Sequence, residues 1–354
     1  MTSIPPTRPG SWWGRKAPSA PRRRLAIVLA LLLGGAGPSP AEFAGIEGWP
    51  GEAPEAVLAP LLRSCAVLLA GDAAIAARWA AACAEAADPA LVDVRGFLER
   101  RFRPVPLGQG LLTGYFEPEL RGAETPGGAY QVPLHALPAE GPLRLLDRAA
   151  IEAGGLDGQG LELAWVADPV DAFFLHIQGS GRIRLADGRV LRLGYAGRNE
   201  HPYRAIGRSL IARGAIAREA MSMQAIRAWL GTAPPGEAAA LLRENPAYIF
   251  FRPIEDLDAA AGPIGTQGVP LTPGRSLAVD PGFIPLGAPV FIAARDPLDG
   301  TPLRRLVVAQ DTGGAIHGQA RGDLFCGTGE AAGARAGLMR EPVGMVVLLP
   351  RDPS

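Results

Sequence analysis

The sequence predicts a mainly β protein of two domains, with helices near the N-terminal end and a small closed barrel at the C-terminal end. The chain has 354 residues, of which 48 % are hydrophobic and 20 % are charged. That length and composition can bury real cores and suggest two domains rather than one. Apolar residues recur at helical spacing over 45–105. From residue 262 onward, proline and glycine separate short aliphatic runs, a pattern typical of barrel strands.

The first forty residues have the pattern of a secretory signal. Basic residues at 15–16 and 22–24 precede an apolar run over 25–33, which ends in small residues. This order predicts export to the periplasm with cleavage near Ala41, and the paired arginines also fit a twin-arginine route. The run is shorter than the ~20 apolar residues that span a bilayer. Because no lipid-acceptor cysteine follows it, we expect no lipid anchor there.

Three cysteines are present, and their number and spacing fit no zinc site. Cys65 and Cys83 lie on two successive helical segments, at 56–70 and 73–88, which a turn at residues 71–72 would fold together. A disulfide between them and two small buried thiols are both compatible with this pattern. Cys326 is left over.

The middle of the chain reads mostly as β structure with one helical interlude. Short apolar runs at 110–116, 173–177 and 182–185 are separated by turn residues, and the segment around Asp187-Gly188 is a hairpin signal. Residues 203–243 carry an apolar face at helical spacing. The proline-rich stretch near 253–273 predicts the domain junction.

Charge and histidine content exclude several functional classes. The net charge is zero and no Lys/Arg-rich face follows the leader, so a nucleic-acid partner has no electrostatic support. The four histidines show no pair at ligand spacing, which predicts no metal and no cofactor. Ser180 is not set in a nucleophile-elbow pattern.

Two acids flank a glycine-rich turn near the C-terminal end. Asp311 ends one apolar run and Asp323 begins the next. If both face one cleft, their like charges force the pKa values apart and leave one carboxyl protonated near neutrality, as a general acid requires. Asp311 fits equally well as a cap on the backbone N–H groups of residues 313–314.

The tripeptide Asp311-Thr312-Gly313 also matches the active-site motif of aspartic proteases. Those enzymes need two such carboxylates that share a proton, and this chain has one Asp-Thr-Gly. A protease of this kind would have to dimerise.

Five motifs follow one another in order: Gly114-Tyr115-Phe116-Glu117-Pro118; His176-Ile177-Gln178-Gly179-Ser180-Gly181; Gly194-Tyr195-Ala196-Gly197-Arg198-Asn199 with Pro202-Tyr203; Asn245-Pro246 with Tyr248 and Phe251; and the segment 311–329. Together they resemble the successive signatures of the membrane-bound lytic transglycosylase A family, over about residues 110–350. Phe116 departs from the pattern, since the family often has a second tyrosine there. The absent lipid-acceptor cysteine departs from the family's best-known member.

The resemblance implies a particular division of the chain. After a signal peptide at 1–41, a double-psi β-barrel domain would comprise residues 42–112 and 255–354, and a second β-rich domain would be inserted at 113–254. A glycan would lie in the groove between them. The implied reaction on peptidoglycan strands cleaves the β-1,4 bond between N-acetylmuramic acid and N-acetylglucosamine without water and leaves a 1,6-anhydro sugar. Other cell-wall enzymes are candidate partners.

The resemblance also implies roles for single residues. Asp323 falls on the family's essential acid, with Asp311 as its neighbour. Protonated Asp323 would donate to the glycosidic oxygen and then, as a carboxylate, take the proton of the sugar's C6 hydroxyl. The apolar residues 324–325 and the charge of Asp311 are expected to raise its pKa. Candidates for lining the sugar groove are Tyr115, Glu117, Gln178, Ser180, Gly181 and Tyr195. For the two tyrosines, core packing with a hydrogen-bonded hydroxyl is an open alternative.

Two other functions fit the same residues. An ordinary glycan hydrolase would use Asp323 with a second acid such as Glu117 or Asp311. A non-catalytic wall-binding module on the same barrel would use none of them chemically.

Overall fold

The structure of the protein, a computed structural model, describes residues 41–49, 53–255, 257–258 and 260–351. The predicted signal peptide at 1–41 lies outside these residues except for its last residue. The helices are α1 (Ala41–Ala44), α2 (Leu58–Ala70), α3 (Ala73–Ala86), α4 (Val94–Arg101), α5 (Arg148–Ala150), α6 (Pro169–Gln178), α7 (Ile206–Ala212), α8 (Met223–Thr232), α9 (Pro235–Arg243) and α10 (Glu330–Leu338). The strands are β1 (Phe102–Glu117), β2 (Glu119–Ala123), β3 (Val132–His135), β4 (Glu162–Val166), β5 (Gly181–Arg184), β6 (Val190–Arg198), β7 (Ile249–Pro253), β8 (Ser276–Val279), β9 (Pro289–Arg295), β10 (Pro302–Asp311), β11 (Arg321–Thr328) and β12 (Arg340–Pro350).

Six strands close into a barrel in the order β1-β11-β8-β10-β9-β12. The pairs β1–β11 and β8–β10 are parallel, and the other pairs are antiparallel. Alternate side chains of every strand fill the interior: Leu112, Leu277, Val290, Val307, Leu324 and Val347. The predicted closed barrel and its short C-terminal strands are therefore confirmed.

The N-terminal helices cover one side of this barrel and share its core. Helices α2 and α3 form a hairpin in which the Asp72 carboxylate caps the first turn of α3. A disulfide between Cys65 and Cys83 joins the two helices, and Cys326 is a free thiol. Trp79 of α3 packs edge-on against Phe102 of β1, with ring centroids 5.9 Å apart. The helices predicted at 56–70 and 73–88 are confirmed, and helix propensity here is supported by burial against the barrel.

A second sheet has the order β3-β4-β2-β5-β6-β7. An isolated bridge between Ala136 and Phe251 brings its two edges together. Helices α6 to α9 pack beside it, and the predicted helical interlude at 203–243 is confirmed as α7, α8 and α9. The expectation of a second β-rich region is confirmed as well. Among the helices of the described residues, none is long and apolar enough to cross a bilayer.

The prediction of a strand at 173–177 is wrong, because this segment lies in helix α6. A short apolar run cannot by its periodicity distinguish a strand from a buried helix. The flanking residues decide: the Asp168 carboxylate caps the helix, Pro169 begins it, and Gly179 ends it in the left-handed region at φ 79°. His176, expected on a strand, is therefore a buried residue of α6.

Candidate active site at the edge of the barrel

Four strands bring the candidate residues side by side. Thr113 of β1 pairs with Asp323 of β11, and Ala278 of β8 pairs with Asp323 on one side and with Asp311 of β10 on the other. Residues that pair across strands project from the same face of a sheet. The adjacent leucines point into the barrel core: Leu112, Leu277 and Leu324. The side chains of Thr113, Ala278, Asp323 and Asp311 therefore project outward from the barrel, with the smallest of them between the two acids.

Asp323 is half-buried and receives a hydrogen bond from a neighbouring hydroxyl. Thr113 Oγ1 donates to Asp323 Oδ1 at 2.5 Å, and Arg321 Nη2 in turn donates to Thr113 Oγ1 at 2.8 Å. Desolvation raises the pKa of Asp323 to about 6; the Thr113 hydrogen bond and the Arg321 charge oppose this rise, and the charge of Asp311 adds to it. Near neutral pH this carboxyl therefore exists in both the protonated and the ionised form.

Asp311 accepts four hydrogen bonds. Its Oδ1 binds the backbone N–H of Thr266 at 2.8 Å, the Thr266 hydroxyl at 2.8 Å and the backbone N–H of Thr312 at 2.9 Å. The Tyr115 hydroxyl donates to its Oδ2 at 2.9 Å. The pKa of Asp311 is raised above its ordinary value, because burial raises it by more than these donors lower it. Asp311 thus fixes a turn, but through the N–H groups of Thr266 and Thr312 instead of those of residues 313–314.

Tyr115, predicted to line the groove, belongs to this carboxyl cluster. Its ring packs against Phe325 with centroids 5.4 Å apart, and its hydroxyl binds Asp311. Burial and the charge of Asp311 raise its pKa well above the ordinary value, so the hydroxyl stays protonated and remains a donor. Tyr115 therefore orients Asp311 in this arrangement.

Glu117, also predicted to line the groove, is only 1 % exposed. Arg182 Nε lies 2.7 Å from its Oε2, Arg192 Nη2 lies 3.4 Å from its Oε1, and the Thr328 hydroxyl donates to Oε2 at 2.8 Å. As placed here, the carboxylate offers no surface to a sugar or to water. Its partners come from β5, β6 and β11, so Glu117 joins the barrel to the second sheet.

The remaining predicted residues lie near the start of β5 and on β6. Gln178 Oε1 accepts from the backbone N–H of Phe116 at 3.0 Å, which ties α6 to β1. Gly181 is a packing requirement, since a β-carbon there would lie 2.2 Å from a methyl of Leu175. Ser180 is half-buried, and the side chain of Tyr195 is 51 % exposed on β6. This exposure of Tyr195 is compatible with stacking of its ring on a sugar.

Sequence reasoning missed three members of the cluster: Thr113, Thr266 and Arg321. Thr113 stands two residues before Tyr115, and Arg321 stands two residues before Asp323. Residues two apart in a strand lie on the same face, so this spacing is a signal for both residues. Thr266 lies 45 residues before its partner Asp311, in the proline-rich junction. No local pattern in the sequence connects those two residues.

Comparison with known proteins adds to this geometry. The family described as the MltA specific insert domain matches residues 111–252, and the 3D domain matches residues 275–349. The membrane-bound lytic murein transglycosylase A of Vibrio cholerae is 38 % identical over 237 residues, which is 65 % of this chain and 62 % of that protein. The protein of the same name in Escherichia coli K12 is 40 % identical over 65 % of this chain and 63 % of its own length. The matched part thus spans less than two thirds of these curated relatives.

Solved structures match over a larger share. The crystal structure of a membrane-bound lytic murein transglycosylase from Agrobacterium tumefaciens has a TM-score of 0.77 and 32 % identity, and the match covers 87 % of this chain and 96 % of that one. The crystal structure of E. coli MltA with bound chitohexaose has a TM-score of 0.70 and 31 % identity, with coverage of 83 % and 90 %.

Proposed function

The chain belongs to the membrane-bound lytic murein transglycosylase A family, and we propose that it is a lytic transglycosylase of peptidoglycan. It cleaves the β-1,4 bond between N-acetylmuramic acid and N-acetylglucosamine and leaves a 1,6-anhydro end. The observation that carries the proposal is the outward-facing carboxyl of Asp323, whose pKa of about 6 lets it hold a proton near neutrality.

In the first step, Asp323 acts as a general acid. Its proton passes to the glycosidic oxygen as the bond from that oxygen to C1 breaks, and an oxocarbenium-like centre develops at C1. The leaving sugar departs with a new hydroxyl. Asp323 is then a carboxylate beside a positively charged sugar ring.

In the second step, the same carboxylate acts as a base. It takes the proton of the C6 hydroxyl while the C6 oxygen bonds to C1, which closes the anhydro ring and restores protonated Asp323. No water is consumed, so the two fragments together have the mass of the substrate. One carboxyl completes the cycle.

Asp311 supports this reaction as a fixed negative charge. Its four donors hold it in place and oppose the rise in its pKa that burial causes, and as a carboxylate it stabilises positive charge at C1. A two-carboxylate hydrolase would instead need a second acid free to activate water or to attack C1. Of the candidates, Asp311 is occupied by donors and Glu117 is buried against Arg182 and Arg192. Both observations favour transglycosylation over hydrolysis.

The substrate binds between the barrel and the second sheet. E. coli MltA holds chitohexaose in its crystal structure, and we assign a ligand of the same amino-sugar class to this chain. Tyr195 stacks on a sugar face, while Gln178 and Ser180 meet polar substituents. The division into a barrel domain at 42–112 and 255–354 and an inserted domain at 113–254 belongs to the same proposal, although strand β1 carries the barrel through to Glu117.

Export to the periplasm completes the proposed function, because peptidoglycan lies outside the cytoplasmic membrane. It is supported by the signal pattern at the start of the sequence. Peptidoglycan strands are the proposed partner, with other cell-wall enzymes as further candidates. The chemistry proposed for Asp323 uses no cofactor and no nucleic acid.

The test uses isolated wall sacculi and the purified mature chain. We expect soluble fragments with 1,6-anhydro ends, lighter by one water than hydrolysis products in mass spectrometry. Fragments with ordinary reducing ends, which contain the added water, would support the hydrolase instead. Sacculus binding without any release, unchanged in Asp323→Asn, would support a binding module and contradict the proposal.

A further inference from the structure

Three side chains form a hydrogen-bonded line that ends on Asp323. Arg321 Nη2 lies 2.8 Å from Thr113 Oγ1, and Thr113 Oγ1 lies 2.5 Å from Asp323 Oδ1. A guanidinium can only donate, so Thr113 must accept from Arg321. An ionised carboxylate can only accept, so the single hydroxyl hydrogen of Thr113 is directed to Asp323 when Asp323 is ionised. The direction of the first hydrogen bond is fixed by the guanidinium, and the direction of the second is fixed by the carboxylate in its ionised form.

This direction distinguishes the two oxygens of the Asp323 carboxyl. Oδ1 accepts from Thr113, and in a neutral carboxyl the carbonyl oxygen is the better acceptor. When the ionised carboxylate takes up a proton, the free oxygen Oδ2 receives it, and Oδ1 remains the carbonyl oxygen that accepts from Thr113. After the proton has left, Oδ1 is still occupied by Thr113, so Oδ2 is also the oxygen that accepts the next proton.

We propose that Thr113 is a positioning residue, held by Arg321, which confines the proton of Asp323 to Oδ2 in both steps of the reaction. The inference rests on the proposed function and adds to it the atom of Asp323 that exchanges the proton. It also gives Arg321 a role, since the guanidinium keeps the Thr113 hydroxyl from rotating to another acceptor.

The strand pairing makes this arrangement rigid. Leu111 pairs with Arg321 and Thr113 pairs with Asp323 in the parallel β1–β11 ladder. Arg321 Nη1 also donates to the backbone carbonyl of Gly322 and lies 3.4 Å from that of Leu111. A β-branched threonine in a strand has few χ1 rotamers. The Thr113 hydroxyl is thus held in place by the restricted rotation of its own side chain and by the hydrogen bond from Arg321.

Other charged and titratable groups interact with Asp323 from its own strand and from neighbouring strands. They are Arg321 and Cys326 on β11, Asp311 on β10 and Tyr115 on β1, while β8 contributes only Ala278. None of these four groups is altered by a substitution at position 113. A change in the titration of Asp323 in such a variant therefore comes from loss of the Thr113 hydroxyl, which binds Asp323 directly and also holds Arg321.

The first measurement needs no substrate. Carbon-13 NMR follows the titration of the Asp323 carboxyl in the full mature chain and in Thr113→Val and Thr113→Ser. Valine removes the donor at nearly constant volume, so the pKa of Asp323 should rise, because a hydrogen bond to its ionised form is lost. Serine keeps the hydroxyl and should return the titration toward that of the wild type. Equal titration in Thr113→Val and the wild type would overturn the proposal, whether or not the chain is active.

The second measurement separates positioning from packing. We expect Thr113→Val to lower kcat about tenfold to hundredfold with little change in KM, and Thr113→Ser to restore most of the loss. If the methyl group mattered, valine would be the better substitute, and that ranking would contradict the proposal. Thr301→Val is the matched control, since its hydroxyl donates to exposed Asp299 at 2.7 Å, and its kcat should be unchanged.

The two failures are distinguishable. A wild-type chain that releases no anhydro sugars contradicts the proposed function. A chain that releases them, with Thr113→Val as fast as the wild type, contradicts only the role of Thr113.

Discussion

The two ends of the β1–β11 strand pair each hold a carboxyl group, and they differ in their partners. At one end Thr113 pairs with Asp323 and donates to it; at the other end Glu117 pairs with Thr328 and accepts from it. Two guanidinium groups also contact Glu117. Asp323 has a hydroxyl donor, and its nearest arginine binds that hydroxyl instead. Both ends therefore have a threonine beside a carboxyl. They differ in the arginines, which contact the carboxylate directly at Glu117 but bind the threonine at Asp323.

The cations at the Glu117 end belong to the second sheet. Arg182 of β5 and Arg192 of β6 also donate to the backbone carbonyl of Ala261, in the segment that returns the chain to the barrel. Glu117 thus lies where both connections between the two sheets meet. An acid neutralised in this way is suited to holding the two parts together and unsuited to proton transfer.

The largest expected effect is the loss of activity in Asp323→Asn. An amide cannot donate a proton as a carboxyl does, so release of sugar fragments should fall by roughly 10³-fold, within the usual range for a general acid. Binding to sacculi, measured by cosedimentation, should persist. Asp187→Asn on an exposed hairpin is the matched control and should release fragments at the normal rate. An Asp323→Asn variant that retains a tenth of the activity would remove the distinction between the two ends.

The second effect concerns Glu117 and appears in stability. Glu117→Gln removes the charge that the buried guanidinium of Arg192 and the half-buried guanidinium of Arg182 contact, which should lower the free energy of unfolding by about 3–5 kcal/mol. Denaturant titration measures this. Glu119→Gln breaks the exposed pair with Arg184 on the neighbouring strands and should cost less than about 1 kcal/mol. The folded fraction of Glu117→Gln should keep the turnover of the wild type; a loss like that of Asp323→Asn would give Glu117 a chemical role after all.

The third effect tests the coupling between the two neighbouring acids. Asp311→Asn removes a negative charge that helps to raise the pKa of Asp323. The pKa of Asp323 should therefore fall, and the alkaline limb of kcat/KM should move to lower pH, with about tenfold slower turnover from the lost charge. A pH–rate profile on soluble glycan strands measures both changes. An unmoved limb would mean that Asp311 only shapes the turn.

Sequence predicted the fold more completely than the site, and the residues explain why. The barrel strands carry their own signal, because proline and glycine bound each apolar run. Asp168, Pro169 and Gly179 are likewise start and stop signals of helix α6. The apolar run between them nevertheless led to the prediction of a strand. Glu117 shared a motif with Tyr115, and its burial depends on arginines 65 and 75 residues away. Such long-range partners decide a carboxyl's role, and no local pattern contains them.

The smallest expected effect concerns thermal stability at pH 7. Removing the carboxyl charge should stabilise the protein at Asp323 and destabilise it at Glu117. Asp323 has a folded-state pKa of about 6 against an ordinary value of 3.8, so the folded chain binds this proton more tightly than the unfolded chain does. Its contribution to stability is present below about pH 4 and is lost as pH rises through about 6. Asp323→Asn has no such proton to lose. Its Tm should therefore match that of the wild type at pH 4 and exceed it by a few degrees at pH 7, where Glu117→Gln lies below the wild type. Calorimetry at both pH values checks this, and an Asp323→Asn variant less stable than the wild type at pH 7 would mean that the carboxylate is held by donors in the way that Glu117 is.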